Sequence, residues 1–463
     1  MNEFLNKVPQ KESIIWKTLI DAGYQTYLVG GAVRDILLCE SPKDFDFATK
    51  ATPSDISNVF ENSNFKLDFV GASFGVMMID DIEVATFRGD RYFGGGDKDV
   101  EITYVDNIDE DLSRRDFTIN AMAMSPNGNL IDPFDGEADL INHDSIIIRF
   151  VGNPEDRINE DPNRIMRAFR FSARFDADFA RTTAVALNNN IDKVNMIAPE
   201  RIRLEIIKTL KSTKDSSIFW ELLRNSGALD IIFPEMGYGW KHDHGNHHPE
   251  DVWTHNMLAG DYIKGERPLL KLAGYLHDVG KPASYDPEKR TFYEHHTMGA
   301  DIIRERLSLL KFSNEEIRYI VNLTLVHMDG TRGMSDKARR RLKNKLGRYD
   351  INWEEYLTIR VADRHANLSR PDFTVKQIND YIEMFTIDEV VPISVNSLVL
   401  SGGQIIDIFN LTPSPIVGNI QRELLRLVVE NGDQFNTIPR LVDHIMDVFD
   451  IEPDFIKVQK LTK

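Results

Sequence analysis

Two glycines, Gly30 and Gly31, stand between an apolar run and the helical pattern AVRDILL, and two aspartates, Asp44 and Asp46, follow with one residue between them. The glycines fall where a strand hands over to a helix start, so backbone N–H groups at a positive helix end could face a triphosphate. Small residues permit that close approach, and Arg34, one turn on, could add a charged donor. A tight turn is the plainer reading of the same pair. On a strand, alternate residues share a face, which would point both carboxylates one way with Phe45 and Phe47 packed behind. Neighbouring carboxylates repel unless a cation lies between them, and hard oxygen donors suit Mg2+. Glu83, within IEVATF, adds a third carboxylate on an expected neighbouring strand. Asp44, Asp46 and Glu83 could then form a site that activates an attacking hydroxyl and neutralises a departing pyrophosphate.

A second set of donors lies further along: His255, the adjacent His277 and Asp278, His295 or His296, His327 and Asp363. Imidazole suits transition metals and carboxylate can bridge them. The nearby His242, His244, His247 and His248 read mostly as loop.

The elements that must position these residues follow from patterning. Up to about residue 150, short apolar runs (TYLVG, FGVMMI, IEVATF, SIIIRF) alternate with turn signals and a helix or two, the pattern of a mixed α and β domain. From about residue 155 the apolar spacing becomes three and four, as in RIMRAFRFSARF and ERIRLEIIKTL, and stays helical to the end. Seams rich in Gly, Pro, Asn or Asp fall near 151–155, 236–249 and 369–373. The chain has 463 residues, 42% hydrophobic and 28% charged, the balance of a globular protein of two to four domains. No apolar run is long enough for a spanning helix, the N-terminus lacks the pattern of a secretory signal, and Cys39 is alone, so a cytoplasmic protein without a disulfide is expected. A net charge of -18 argues against a nucleic-acid partner only globally. Residues 331–348 carry eight basic residues against one acidic, which suits either a polyanion stripe or a solvated helix face.

LVGGAVRDILL followed by DFDFAT resembles the first signature of the nucleotidyltransferases that add CCA to tRNA 3′ ends, and of the bacterial poly(A) polymerases related to them. Later stretches resemble that family in order: SRRDFTINAMA (113–123) its ribose and triphosphate segment, IDPFDGEADL (131–140) its flexible loop, EDPNRIMRAFRF (160–171) its base-reading helix, and APERIRLEII (198–207) the helix that braces it. HHPEDVWTHNMLA, LAGYLHDVGKP, FYEHHTMGA and ADRHA resemble the HD phosphohydrolase domain found appended to some of these enzymes. The resemblance implies an α+β chain: a polymerase β-like palm (1–150), an all-α base-reading neck (151–237), an HD domain (238–372) and a helical tail (373–463) that grips tRNA or serves as a helical cap. It implies Mg2+ in the palm, a divalent transition metal in the HD site, and CTP, ATP and tRNA as partners, with no membrane.

The resemblance implies a problem of selection without a template. Cytosine and adenine both show an exocyclic amine donor beside a ring-nitrogen acceptor, where uracil and guanine show the reverse. A carboxylate accepting from the amine and a guanidinium donating to the ring nitrogen admit the first pair and reject the second, since buried mismatches cost about 1–3 kcal/mol each. Asp161 and Arg164, three apart at an expected helix start, are the candidates, with Glu160 holding Arg164 and Arg167 on the same helix at the nucleotide. Helix-terminus charges and an ordinary ion pair would give the same letters. The resemblance gives Asp116 the ribose 2′-hydroxyl and places Arg114 and Arg115 near phosphates. Two positions depart from the family pattern: Cys39 replaces the usual glycine after LL, and Asp135 precedes Gly136 where two glycines are usual.

The implied reaction is CCA addition from CTP and ATP, with a phosphohydrolase activity in the HD domain. A poly(A) polymerase or a partial CC- or A-adding enzyme shares these motifs, and an HD hydrolase whose N-terminal domain only binds RNA is the alternative of a different class.

Overall fold

The computed structural model describes residues 8–69, 71–92, 100–141, 144–245, 248–330, 335–387 and 391–462. It divides into two compact units, Met1–Ile232 and Phe233–Lys463.

The first unit opens with the helix Gln10–Asp21, whose Ile15, Trp16 and Leu19 fall at helical spacing and are buried. They cover a seven-stranded sheet of β1 (Thr26–Val29), β2 (Asp46–Thr49), β3 (Leu67–Asp68), β4 (Val76–Ile79), β5 (Ile82–Thr86), β6 (Ala123–Met124) and β7 (Leu130–Ile131). The spatial order is β3, β4, β5, β2, β1, β6, β7. β2 pairs parallel with β5 and antiparallel with β1, so it lies in the interior of the sheet, and Phe47, Ala48 and Thr49 are buried. Trp16 packs on Phe47 at 5.3 Å and donates through its indole N–H to the Thr26 carbonyl at 2.9 Å, which fixes the opening helix on the sheet.

The helix Gly31–Leu37 follows β1 directly and returns the chain to β2. It ends with Cys39 at a φ of 59°, where the Glu40 N–H reaches the Asp35 carbonyl at 2.8 Å. That left-handed closing residue usually lacks a side chain, and Cys39 fills the place without changing the turn. Asp135 adopts the same backbone region, φ 57°, just before the helix Gly136–Leu140.

Helices then take over, principally Pro154–Glu160, Asn163–Phe175, Arg181–Asn189, Pro199–Ser212 and Ser217–Ser226. Phe117 meets Phe150 at 4.9 Å and Phe171 at 5.6 Å, so an aromatic cluster joins the sheet domain to the Asn163–Phe175 helix. A buried ion pair, Arg170 to Glu205 at 2.5 Å, joins that helix to Pro199–Ser212. Two details differ from the sequence pattern. SIIIRF yields only the short strand Ile147–Ile148, which pairs with Asp178–Phe179 outside the main sheet. The strand expected over DFDF begins at Asp46, so Asp44 lies in the approach to it.

In the second unit, Val252–Tyr262, Pro268–Leu276, His295–Leu309, Asn314–Val326 and Trp353–Ala366 are the helices that carry the second donor set or end beside it. Gly280 allows their convergence: a Cβ there would lie 2.1 Å from the His295 carbonyl oxygen, so any larger residue would push away the helix that His295 begins. A small hairpin, Tyr285–Asp286 with Thr291–Phe292, interrupts the helical run. The tail forms its own core, with Leu400, Ile405, Ile408, Ile420, Leu424, Val428, Leu441 and Ile445 among its buried residues.

The basic stretch at 331–348 forms the helix Asp336–Arg348, with 331–334 outside the described residues. Neither sequence-based reading describes it fully. Arg340 donates to the Val429 and Glu430 carbonyls at 3.1 and 2.7 Å, at the C-terminal end of the helix Pro415–Asn431, and Lys337 and Arg341 pair with the Glu430 carboxylate. Cations at a helix C-terminus meet its negative dipole end, so much of this charge binds the protein to itself.

Candidate functional site

In the first unit the sheet register aligns the acidic residues. Val29 lies opposite Asp46, and Phe47 beside Val84, which carries Asp46 alongside Glu83 one residue back. Burial, then the charges of Glu83 and Asp44, push the Asp46 carboxyl up to about 6 against the pull of Arg115. Repulsion from Glu83 and Asp44 adds to burial and is the part a cation would relieve, although the three carboxylates do not form a group with donor atoms all within 4.8 Å of one another. Among the described residues, no helix is long and apolar enough to cross a membrane.

Gly30 has a φ of 67°, and a Cβ on it would lie 3.1 Å from Arg115 Nη1. The positive φ is what favours glycine here, while a Cβ would meet only the tip of the Arg115 side chain, which would have to give by a few tenths of an ångström. Asp111, wholly buried, holds Arg115 at 3.1 Å and Arg114 at 2.7 Å, while Asp90 also reaches Arg114 at 3.2 Å. Burial would raise the Asp111 carboxyl, but Arg115 and Arg114 hold it below the usual carboxylate range. Gly31 lies against Arg34, whose Nη2 is 3.4 Å from its Cβ position. Arg34 itself is buried: it donates to Asp35 at 2.6 Å and to Asn120 at 2.6 Å, and stacks over Phe175 at 5.0 Å. The structure therefore places Arg34 inside the framework behind the turn.

Asp116 is likewise engaged on both oxygens. Its Oδ1 accepts from the Phe117 N–H at 2.8 Å and Asn120 at 3.3 Å, and its Oδ2 from Arg167 Nε at 2.7 Å. Burial opposes ionisation, yet Arg167 keeps the carboxyl below its ordinary value. Arg167 Nη2, 2.5 Å from Oδ2, takes the fourth lone-pair site, so a ribose hydroxyl could use Asp116 only if one of these donors moved aside.

Asp161 precedes the Asn163–Phe175 helix in extended backbone, φ -148°. Arg201 grips it with two parallel bonds, Nη1 to Oδ1 at 2.9 Å and Nη2 to Oδ2 at 2.8 Å, and the Asn163 N–H adds a third at 3.0 Å. Arg164 is held by Glu160 at 2.6 Å, by the Arg157 carbonyl at 3.0 Å and by the Arg114 carbonyl at 3.3 Å. Glu160 and Arg164 belong to successive helices, so this is not a pair along one helix face.

The second unit gathers its donors more tightly. His255, His277 and Asp278 form one group, and Asp278, His295 and His327 another, each with donor atoms within 4.8 Å of one another. Asp278 divides them: Oδ2 lies 3.3 Å from His277 Nε2, and Oδ1 lies 3.2 Å from His295 Nε2 and 3.4 Å from His327 Nε2. Asp363 Oδ1 joins the first group, 3.2 Å from His255 Nε2. His295 begins its helix buried and reaches Asp278, whereas His296 is half-buried and is not part of the convergent groups.

Each of the three histidines His277, His295 and His327 turns its Nδ1 to a backbone carbonyl, of Gly274, Phe292 and Thr324. This leaves Nε2 directed at the carboxylates, the arrangement a metal requires of neutral imidazole. Asp278 Oδ1 is buried with no hydrogen-bond partner, which suits it to hold a cation. Without one, burial would lower His277, but Asp278 and Asp363 push it up to about 10, while burial takes His327 down to about 4 against Asp278.

Several residues here were not singled out from sequence. Arg201 and Asn120 make the contacts given above. Lys281 donates to Asp278 Oδ2 and to His244 Nε2, both at 2.5 Å. His244, His248, Glu250 and His255 form a further convergent group, so two of the histidines read as loop face the cluster; His242 instead bonds the Asp243 carbonyl, and His247 lies outside the described residues. The spacing HDVGK, with a lysine one turn after the aspartate, was the available signal for Lys281.

Comparison with known proteins supplies three family matches: the poly A polymerase head domain over residues 26–146, the probable RNA and SrmB-binding site of polymerase A over 178–238, and the HD domain over 246–368. The CCA-adding enzyme of Lactobacillus helveticus is 39% identical over 211 residues, 44% of this chain and 51% of that protein. The match therefore spans about half that relative's length. The CCA-adding enzyme of Leuconostoc mesenteroides is 28% identical over 438 residues, 94% of each chain. In fold, the chain is similar to the Bacillus stearothermophilus CCA-adding enzyme in complex with CTP, with a TM-score of 0.63, 24% identity and coverage of 95% of this chain and 98% of that one. It is also similar to the Thermotoga maritima CCA-adding enzyme complexed with tRNA, with a TM-score of 0.52, 18% identity and coverage of 95% and 97%.

Proposed function

As a chain that joins a poly A polymerase head domain and the polymerase RNA-binding segment to an HD domain, this protein, we propose, adds C, C and A to tRNA 3′ ends from CTP and ATP without a template. The observation that carries the reading is the register that sets Asp46 between Val29 and Glu83, next to the Gly30 turn and its overlying Arg115. In the proposed division, residues 1–150 are the palm, 151–237 the neck, 238–372 the HD domain and 373–463 a tail that grips tRNA, in a cytoplasmic enzyme.

The RNA 3′-hydroxyl attacks the α-phosphate and pyrophosphate leaves. Magnesium bound by Asp44 and Asp46, with Glu83 alongside, would favour the alkoxide and balance charge on the departing phosphates. The protein's own contribution is position. The Gly30 turn brings backbone close to the triphosphate, and Arg115, anchored by Asp111, adds positive charge there. For base selection, a carboxylate offers about four lone-pair sites. In Asp161, Arg201 takes one on each oxygen and the Asn163 N–H a second on Oδ1, so the amine of C or A would use the remaining site on Oδ2. Arg164 would donate to the ring nitrogen from the seat that Glu160 and the Arg114 carbonyl give it.

The HD cluster is read as a second, hydrolytic centre with one or two divalent transition metals, cleaving a 2′,3′-cyclic phosphate or a 2′-phosphate at RNA ends. The inward Nε2 atoms and the unpartnered Asp278 Oδ1 support it.

The test is incubation of tRNA lacking its terminus with labelled CTP and ATP, followed by sequencing of the product. Addition ending at CCA is expected, and loss of all addition in Asp44→Ala, Asp46→Ala. An unlimited run of A would replace this reading with a poly(A) polymerase. For the second centre, phosphodiester hydrolysis undiminished in His277→Ala, Asp278→Ala would remove the hydrolase.

A further inference from the structure

Glu250, buried beside the HD cluster, binds parts of the chain that carry two different donors. Its Oε1 accepts the Nδ1–H of His255 at 3.1 Å and that of His248 at 2.6 Å, and its Oε2 accepts the Leu368 N–H at 3.2 Å. Asn367, at the end of the helix Trp353–Ala366, donates to His248 Nε2 at 3.2 Å. The loop entering the His255 helix is therefore fastened to the end of the helix that carries Asp363. The result is the 3.2 Å approach of His255 Nε2 to Asp363 Oδ1. His277, His295 and His327 depend for the same orientation on backbone carbonyls of their own neighbouring turns. Among these four donors, His255 alone takes its orientation from a side chain.

We propose that Glu250 is a positioning residue for one half of the HD cluster. It keeps His255 Nε2 bare and turned to Asp363, and so sets cation affinity on the Oδ2 side of Asp278 without governing the side formed by His295, His327 and Asp278 Oδ1. A carboxylate behind an imidazole also makes the ligand more basic than a carbonyl does, and loss of such a partner typically weakens metal binding about 10–100-fold. A residue that merely supported the fold would weaken both halves together or neither. The inference rests on the reading of the cluster as a metal centre.

The test uses the full chain stripped of metal and titrated with Mn2+ alone, followed by electron paramagnetic resonance of the free ion. The uptake lost in Asp278→Ala measures the cluster's share and separates it from the first unit. Two equivalents are expected in the parent; in Glu250→Gln one is held about 10–100-fold more weakly and the other is unchanged. If Glu250→Gln does not fold, as judged by circular dichroism, His248→Asn is read the same way, with a smaller fall in the same equivalent. Both equivalents unchanged, or both weakened alike, overturns the inference and leaves the metal centre standing. A parent that takes up no more Mn2+ than Asp278→Ala overturns the metal centre itself and the inference with it.

Discussion

Arg164 donates through Nη2 to the main-chain oxygen of Arg114 at 3.3 Å, while the next residue, Arg115, has its guanidinium against the Gly30 turn. The residue proposed to read the base and the residue beside the acidic cluster are thus seated by one dipeptide. Arg164→Lys keeps the charge but loses the planar fork that reaches Glu160, the Arg157 carbonyl and the Arg114 carbonyl together. The expected outcome is a fall of about 10–100-fold in kcat/KM for CTP and ATP, matching roughly 1–3 kcal/mol of lost selection, with UTP and GTP much less affected. Arg201→Gln, which releases Asp161, should act in the same direction. Steady-state rates with all four nucleotides decide it: an equal fall for all would give Arg164 a structural role only.

Cys39 occupies a backbone position, φ 59°, that suits glycine, and its turn is closed by main-chain bonds from Cys39 to Ile36 at 3.0 Å and from Glu40 to Asp35 at 2.8 Å. None of these bonds uses the side chain. Cys39→Gly should therefore relieve left-handed strain worth about 1 kcal/mol or more, less the greater freedom of glycine in the unfolded chain. A net gain of about 0.5–1 kcal/mol is expected, near 2 °C in melting temperature for a unit of this size. Nucleotide addition should be unchanged. Thermal melts followed by circular dichroism measure it, and a lower melting temperature would mean that the thiol makes a favourable contact.

The helix Asp336–Arg348 spends basic residues on the end of Pro415–Asn431, where Arg340 bonds the Val429 and Glu430 carbonyls. Arg340→Ala should leave these acceptors with weaker partners and destabilise the second unit by about 1–2 kcal/mol. If the helix were instead a phosphate-binding stripe, removing Arg340 would reduce the slope of log affinity against log salt by about 1. Urea unfolding together with tRNA binding at several salt concentrations separates the two. Reduced stability with an unchanged slope is expected.

Sequence reading placed the residues whose chemistry depends on close spacing and missed those whose partners come from afar. Gly30, Gly31 and Asp46 fall where the sequence pattern puts them, in a local run of strand, turn, helix and strand, whereas Asp44 was read onto a strand that begins only at Asp46. Arg201 was not legible, since it meets Asp161 only after the chain has folded back through two intervening helices. Arg34 and Asp116 carry the right letters for nucleotide contacts, but their hydrogen bonds are used by Asp35, Asn120 and Arg167, which spacing does not reveal. His295 and His296 were indistinguishable until the helix start turned one toward Asp278. Glu250 and His248 lay in a histidine-rich segment without periodicity, and their roles follow from Leu368 and Asn367, more than a hundred residues away.

Asp46 gives the proposed addition reaction a pH dependence of definite sign. With no cation bound, burial and the charges of Glu83 and Asp44 push its carboxyl up to about 6, with Arg115 opposing them. Cation binding requires the carboxylate, so protons and magnesium compete for the same group. Below about pH 6 the proton prevails, and apparent Mg2+ affinity should fall up to tenfold per pH unit; above it the affinity should level off. At subsaturating Mg2+, CTP incorporation should therefore rise through a midpoint near pH 6, and a tenfold increase in Mg2+ should move that midpoint to lower pH. Asp46→Asn, which cannot ionise, should abolish addition at every pH. Rates measured from pH 5 to 8 at two Mg2+ concentrations check the argument: a midpoint indifferent to Mg2+ would detach Asp46 from the metal.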